Sequence, residues 1–190
     1  MTKYNAPQIC FLICKPLWMK AARWDSLFSP DRKISTCWNA LHRAWPDYYE
    51  NFSKRIVKTP KLYFYDVGLV SFLLGLRQTD DLEDQTLIGS LFENLVIIDI
   101  LKKNHHKYLL RDYWFWRDSH GHEVDLLTKR SGGLEIFEMK STQTILPKLF
   151  KGLDYFSDIT KGKVNARTLV YGGLDNQDRT NYQVRAWDAV

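Results

Sequence analysis

The sequence predicts an α/β fold, a mixed sheet flanked by helices, and three stretches carry that expectation. Thr86–Lys103 is apolar almost all the way round (Leu87, Ile88, Leu91, Phe92, Leu95, Val96, Ile97, Ile98, Ile100, Leu101), as a helix buried on most sides would be. Glu123–Lys129 and Leu134–Lys140 are strand-like arms, and Arg130-Ser131-Gly132-Gly133 between them supplies the glycines of a hairpin. Leu146–Ile159 then returns to helical spacing ahead of a strand, Thr168–Tyr171. With an aromatic strand, Lys107–Trp116, before the hairpin, the order is helix, three strands, helix, strand. That order is the pattern of an α/β domain with a mixed sheet.

The 190 residues are 45% hydrophobic, enough for one domain with a real core. The net charge of +5 suggests a nucleic-acid partner, but its distribution is lopsided. Residues 1–60 hold 10 Lys/Arg against 4 Asp/Glu, and residues 61–190 hold 17 against 18. Any attraction for phosphate in the second part has to come from local Lys and Arg or from a metal. Cys10, Cys14 and Cys37 lack the spacing of a disulfide framework or a zinc site. The apolar run Ile9–Ile13 is too short to span a bilayer and lacks a small-residue cleavage site. A reduced, cytoplasmic setting without membrane contact is the expectation.

Residues 1–49 form a poorly defined N-terminal segment, with Trp18, Trp24, Trp38 and Trp45 and prolines at 7, 16, 30 and 46 but no sustained period. Short helices over Leu17–Leu27 and Ser35–Ala44 are compatible with it. The α/β domain is expected to occupy residues 50–190. A strand starts after Pro60 and runs through Lys61–Tyr65, and Asp66 caps a helix over Val67–Leu76. The acidic run Asp80–Asp84 reads as a solvated loop. Pro147 suits the start of the helix over Leu146–Ile159, with Leu149, Leu153 and Phe156 on its apolar face. Tyr182–Trp187 reads as a terminal edge strand.

The hairpin carries the chemistry. With Ser131 and Gly132 as the two turn residues, Asp125 faces Glu138 and Glu123 faces Lys140; with Gly132 and Gly133 instead, Asp125 faces Lys140, and Asp125, Glu138 and Lys140 still share one face. Two carboxylates across a strand pair repel, so something positive should sit between them. A divalent cation with oxygen ligands meets that need, and Lys140, two residues beyond Glu138, points the same way. The alternative is a solvated face on which Glu123 pairs with Lys140 and the other acids meet water. At 100° per residue, Glu93 falls amid a stripe made by Gly89, Val96, Ile97 and Ile100. It is there either as a buried ion pair or as a third acid facing the hairpin. His120 and His122 flank Gly121 at a strand junction, which favours turn and surface roles over metal ligation. Gln143, Lys148 and Lys151 suit exposed positions at a helix start better than phosphate contacts.

Helical Gly89-x-x-x-Glu93-Asn94, then Glu123-Val124-Asp125 on one strand and Glu138-Met139-Lys140 on the next, resemble the PD-(D/E)XK nuclease-like superfamily. More narrowly, Lys58-Thr-Pro-Lys-Leu-Tyr-Phe-Tyr-Asp-Val-Gly-Leu69 followed by those motifs is similar to the C-terminal domain of unknown function of prokaryotic AAA+-type ATPases, over roughly residues 50–175. The resemblance implies a restriction-endonuclease-like core. It also implies that Glu93 is the helical acid, that Asp125 and Glu138 bind metal together with Glu93, and that Lys140 is the lysine of the signature. The catalytic set would be Glu93, Asp125, Glu138 and Lys140. The implied cofactor is Mg²⁺ or Mn²⁺, which takes carboxylate oxygens and keeps waters, while Lys140 orients the attacking water or neutralises developing charge.

The departures from that family are also specific. No G-x-x-x-x-G-K-[ST] occurs, so no nucleotide cofactor and no ATPase activity is expected. Residues 1–49 do not match the winged-helix-like piece usual in the family, which suggests a truncated or rearranged remnant. Two functions follow. One is a Mg²⁺-dependent phosphodiesterase acting on nucleic acid. The other is a nuclease-like module without turnover that binds nucleic acid or docks an ATPase domain in trans.

Overall fold

The computed structural model describes residues 42–45, 48, 61–78, 84–109, 111–130 and 132–190. The expected helix over 17–27, most of that over 35–44, and the three cysteines lie outside these residues. The end of the second helix is corrected: His42–Trp45 is a strand, β1, antiparallel to β2 (Lys61–Phe64), with Trp45 opposite Lys61.

Helix α1 (Val67–Leu73) starts where Asp66 accepts a hydrogen bond from Leu69 N at 3.0 Å, as the sequence indicates. It ends three residues before the expected Leu76, and Gly75 follows in the left-handed region at φ 82°, a conformation glycine adopts without a Cβ penalty. Helix α2 (Gln85–His106) is capped by Asp84, which accepts from Thr86 N at 2.8 Å. It runs past Lys103, so the expected strand from Lys107 begins only at Tyr113. Lys107 closes the helix, and Tyr108 turns left-handed with φ 54°.

Strands β3 (Tyr113–Arg117), β4 (Glu123–Arg130) and β5 (Gly133–Lys140) are antiparallel neighbours. A 3₁₀ turn (Pro147–Phe150) leads into α3 (Lys151–Ile159), which carries the chain back to β6 (Val164–Tyr171), parallel to β5. Parallel neighbours need such a crossover. Strands β7 (Gln177–Asp178) and β8 (Gln183–Ala186) complete a mixed sheet in the order β3-β4-β5-β6-β8-β7. Tyr182–Trp187 is therefore not an edge. Its strand β8 lies parallel to β6, and the two-residue β7 takes the rim.

The two helices cover opposite faces of the sheet. On one face Leu153 and Phe156 of α3 bury Trp116, Val124, Leu127, Ile136 and Leu169, together with Tyr48. On the other, Val96, Ile97, Ile100 and Leu101 of α2 bury Tyr113, Leu126, Met139 and Val170, and Tyr63 of β2 joins them. Truncating one of these side chains to Ala costs roughly 2–5 kcal/mol. No helix among the described residues is long and apolar enough to cross a membrane.

Candidate acidic site

The hairpin register matches the two-residue turn. Pairs run from Arg130 opposite Gly133 to Leu126 opposite Phe137, and Gly132 adopts φ 102°. Beyond Leu126 the β4–β5 ladder ends, while β4 stays paired with β3. Against β3, Trp114 faces Leu127 and Trp116 faces Val124, so Asp125 and Leu126 together stand opposite the single residue Phe115. Such a bulge kinks a strand and re-aims its side chains. Val124 and Leu127 consequently both pack on the α3 side while Leu126 packs on the α2 side. Asp125 turns inward, and its Oδ2 accepts the Met139 backbone N–H at 2.8 Å.

Four carboxylates and two ammoniums gather at this point. Lys140 Nζ lies 2.5 Å from Glu138 Oε1 and 3.9 Å from Asp125 Oδ2. Lys61 Nζ, brought in at the start of β2, lies 2.8 Å from Glu93 Oε1, 3.5 Å from Asp125 Oδ1 and against Glu123 Oε1. Tyr63 donates its hydroxyl to Glu93 Oε1 at 2.5 Å. Asn94, the neighbour of Glu93, fixes the strand: Phe64 N donates to its Oδ1 and its Nδ2 donates to Phe64 O, each at 2.8 Å. The expected pairing of Glu123 with Lys140 is corrected. Arg117 holds Glu123 Oε2 through Nε at 2.9 Å and NH2 at 2.7 Å, because the bulge and the parting of the strands carry Glu123 away from β5.

All four residues singled out from the sequence, Glu93, Asp125, Glu138 and Lys140, belong to this cluster. Lys61 links Glu93 to Asp125. Sequence reasoning gave Lys61, Tyr63, Asn94 and Arg117 no role. Lys61 stood within a quoted motif, but a strand-initial lysine looks like a solvated one. The signal that could have found it is charge balance, since three acids need more than Lys140. His122 forms part of a turn. Its Nδ1 lies 3.0 Å from Asp118 Oδ2, its ring stacks on Tyr155, and Asp118 is held ionised by the backbone N–H groups of His120 and His122. Gln143, Lys148 and Lys151 are exposed.

Burial pushes the carboxyls of Asp125, Glu138 and Glu93 up, and the cations beside them decide which stay charged. Burial pushes Asp125 up, but Lys140, Lys61 and the Met139 N–H outweigh it and hold its carboxyl below the usual range. Glu138 is pushed up to about 8, by burial first and by the charge of Asp125 second. Glu93 is also raised, chiefly by burial, against the pull of Lys61. Both ammoniums are held above the ordinary lysine value. Burial works against their charge, and Glu93 is the leading opposing influence on Lys61, Asp125 on Lys140.

An all-oxygen donor set suits Mg²⁺ or Mn²⁺ rather than a softer metal. Glu138 Oε2 fits such a group further, because it is buried without a hydrogen-bond partner, an expensive condition for a carboxylate. Among the described residues no three His, Cys, Asp or Glu side chains converge on one point a metal could take. The carboxylates converge instead on the two ammoniums.

The family model described as "Domain of unknown function (DUF4143)" matches residues 88–189, more than half of the chain. The chain belongs to this family. The DUF4143 match contains Glu93, Glu123, Asp125, Glu138 and Lys140, whereas Lys61 and Tyr63 fall in a second match, residues 39–80, to "Domain of unknown function (DUF8612)". The chain is similar to Uncharacterized protein Mb2031c of Mycobacterium bovis and Uncharacterized protein Rv2008c of Mycobacterium tuberculosis. Each is 31% identical over 102 residues, 54% of this chain and 22% of the relative. The chain thus spans about a fifth of the length of the curated relatives it matches. No solved structure matches.

Proposed function

We propose that this DUF4143 chain carries a metal-dependent phosphodiesterase site for nucleic acid on a PD-(D/E)XK, restriction-endonuclease-like core. The observation that carries the reading is the meeting of Asp125, Glu138 and Lys140 where β4 and β5 part, with Glu93 tied in through Lys61. Asp125 and Glu138 would hold Mg²⁺ or Mn²⁺, and Glu93, which faces Lys61 in the metal-free protein, would join them only where that ammonium gives way. When bound, the cation supplies positive charge for the phosphoryl oxygens and acidifies a water. Asp125 is suited to its part because it stays ionised and is fixed by the Met139 N–H. Glu138 gives up its proton readily once a second positive charge stands beside it. Lys140, held 2.5 Å from Glu138 Oε1, orients a nucleophilic water or meets charge developing on phosphate.

The test is incubation of the full chain with single- and double-stranded DNA and RNA in Mn²⁺, beside Asp125→Ala and Glu138→Ala. Cleavage by the parent that falls to background in both variants is the expected result. Cleavage that survives in the variants, or none by the folded parent, overturns the reading.

One observation favours a second reading. The Lys61 ammonium already pairs with Glu93, Glu123 and Asp125, as would suit a fold kept for docking. The chain would then be a cytoplasmic module that binds nucleic acid, or an AAA+-type ATPase domain in trans, without turnover. Retarded DNA or RNA that is never cleaved distinguishes it.

A further inference from the structure

Lys61 stands where the acids would otherwise need a cation from solution. Its ammonium meets Glu93 of α2, Glu123 and Asp125 of β4, three carboxylates on two elements that do not share a backbone ladder with β2. It is largely buried, at 17% exposed, whereas Lys140 is 39% exposed. A divalent ion that uses Glu93 or Asp125 therefore competes with Lys61 for the same oxygens. Two cations packed within a few ångströms repel strongly in a poorly solvated cleft.

We propose that Lys61 is a built-in counter-cation that a divalent metal must displace, so that metal loading and expulsion of this side chain are one event. The inference rests on the metal-dependent reading above. The geometry says which part moves. Strand β2 is held by its ladder to β1 and by the two Asn94 bonds to Phe64, so the backbone stays. A lysine has a flexible four-carbon stem and makes no planar, two-pronged contact, so its head can swing out while its backbone stays in place. Tyr63 keeps its hydrogen bond to Glu93 and marks where that carboxylate remains. In the metal-free protein Lys61 already occupies these carboxylates, and the affinity for metal is lower than their number would give.

The test uses the full chain and two readouts. Titration calorimetry with Mn²⁺ on the parent, Lys61→Met and Lys61→Arg should give at least about tenfold tighter binding for Lys61→Met. Lys61→Arg, which keeps the charge, should bind no tighter than the parent. Amine acetylation of the parent, mapped by mass spectrometry, needs no variant to fold: Lys61 should be protected without Mn²⁺ and labelled severalfold faster with it. Equal Mn²⁺ affinity in parent and Lys61→Met, Mn²⁺ binding with unchanged Lys61 labelling, or no Mn²⁺ binding by folded Lys61→Met overturns the proposal. Failure of the nuclease reading alone looks different. Lys61 is then expelled by Mn²⁺, and nucleic acid stays intact.

Discussion

Lys61 and Lys140 reach the same carboxylate, that of Asp125, from different parts of the chain, and they are held in different ways. Lys140 follows Glu138 by two residues on one strand, and its second partner lies on the neighbouring arm of a hairpin. Lys61 comes from a separate two-stranded sheet, and its three partners lie from 32 to 64 residues away. The half of the cluster around Lys140 is thus made by local pairing, and the half around Lys61 by docking β2 onto α2. The first needs only the hairpin and the neighbouring strand whose bulge aims Asp125. The second exists only in the complete tertiary fold, which makes it the part whose charge can be exchanged for another cation.

The largest expected effect comes from the residue the halves share. Asp125→Ala removes a partner from both lysines and leaves the Met139 N–H without an acceptor. Breaking a buried pair by deleting one member typically costs about 3–5 kcal/mol, and denaturant unfolding should show a loss in that range. A loss below about 1 kcal/mol would mean that the two halves do not depend on a common carboxylate. The comparison sharpens with Lys61→Met and Lys140→Met. The first should cost more in unfolding free energy, by about 1 kcal/mol or more, because Lys61 is the less exposed and leaves more carboxylates uncompensated. Equal losses would erase the distinction.

Gly152 of α3 touches both halves, and its effect should be the next in size. A methyl there would run into the Glu123 carbonyl oxygen and come within 3.4 Å of Glu138 Oε2. Gly152→Ala forces α3 away from β4, and overpacking of this kind costs about 1–3 kcal/mol. If the variant unfolds like the parent, α3 has room to shift and does not set the position of Glu123.

The same comparison explains what could be read in advance. The hairpin was legible because β structure alternates sides with a period of two, so a two-residue turn predicts Asp125, Glu138 and Lys140 on one face, while the bulge sets how Asp125 is aimed. The helix order was legible because α2 is apolar almost all the way round and because Asp66 is a strong cap, whereas Asp84, legible only as part of a solvated acidic run, also caps α2. The bulge at Asp125 and Leu126 was not, since nothing local announces an extra residue. Its result, Glu123 pairing with Arg117 instead of Lys140, was lost with it. Lys61 was hidden for the opposite reason: its meaning lies wholly in contacts distant in sequence. Strand β8 was placed at an edge because the two residues of β7 are too short to register as a strand.

The smallest effect separates the halves by pH. Glu138 titrates near 8 in the folded protein, against 4.5 for an ordinary glutamate. Between those values the folded state keeps a proton that the unfolded chain has lost, so this group's contribution is complete below about 4.5 and fades as pH rises through about 8. Asp125 has the reverse sign. Its folded value lies below 3.8, and the stability it adds is lost only when acid takes the pH down through that lower value. Near neutrality, then, Glu138 of the Lys140 half gives a falling slope, and Glu93, also raised, acts in the same direction. One proton gives at most about 1.4 kcal/mol of lost stability per pH unit. Unfolding free energies of the parent at about pH 6 and about pH 7 should differ in that direction by up to that amount, and Glu138→Gln should flatten the difference while leaving the acid limb of Asp125 in place. An unchanged slope in Glu138→Gln would move the titrating proton to Glu93, and with it the soft spot of the site to the Lys61 half.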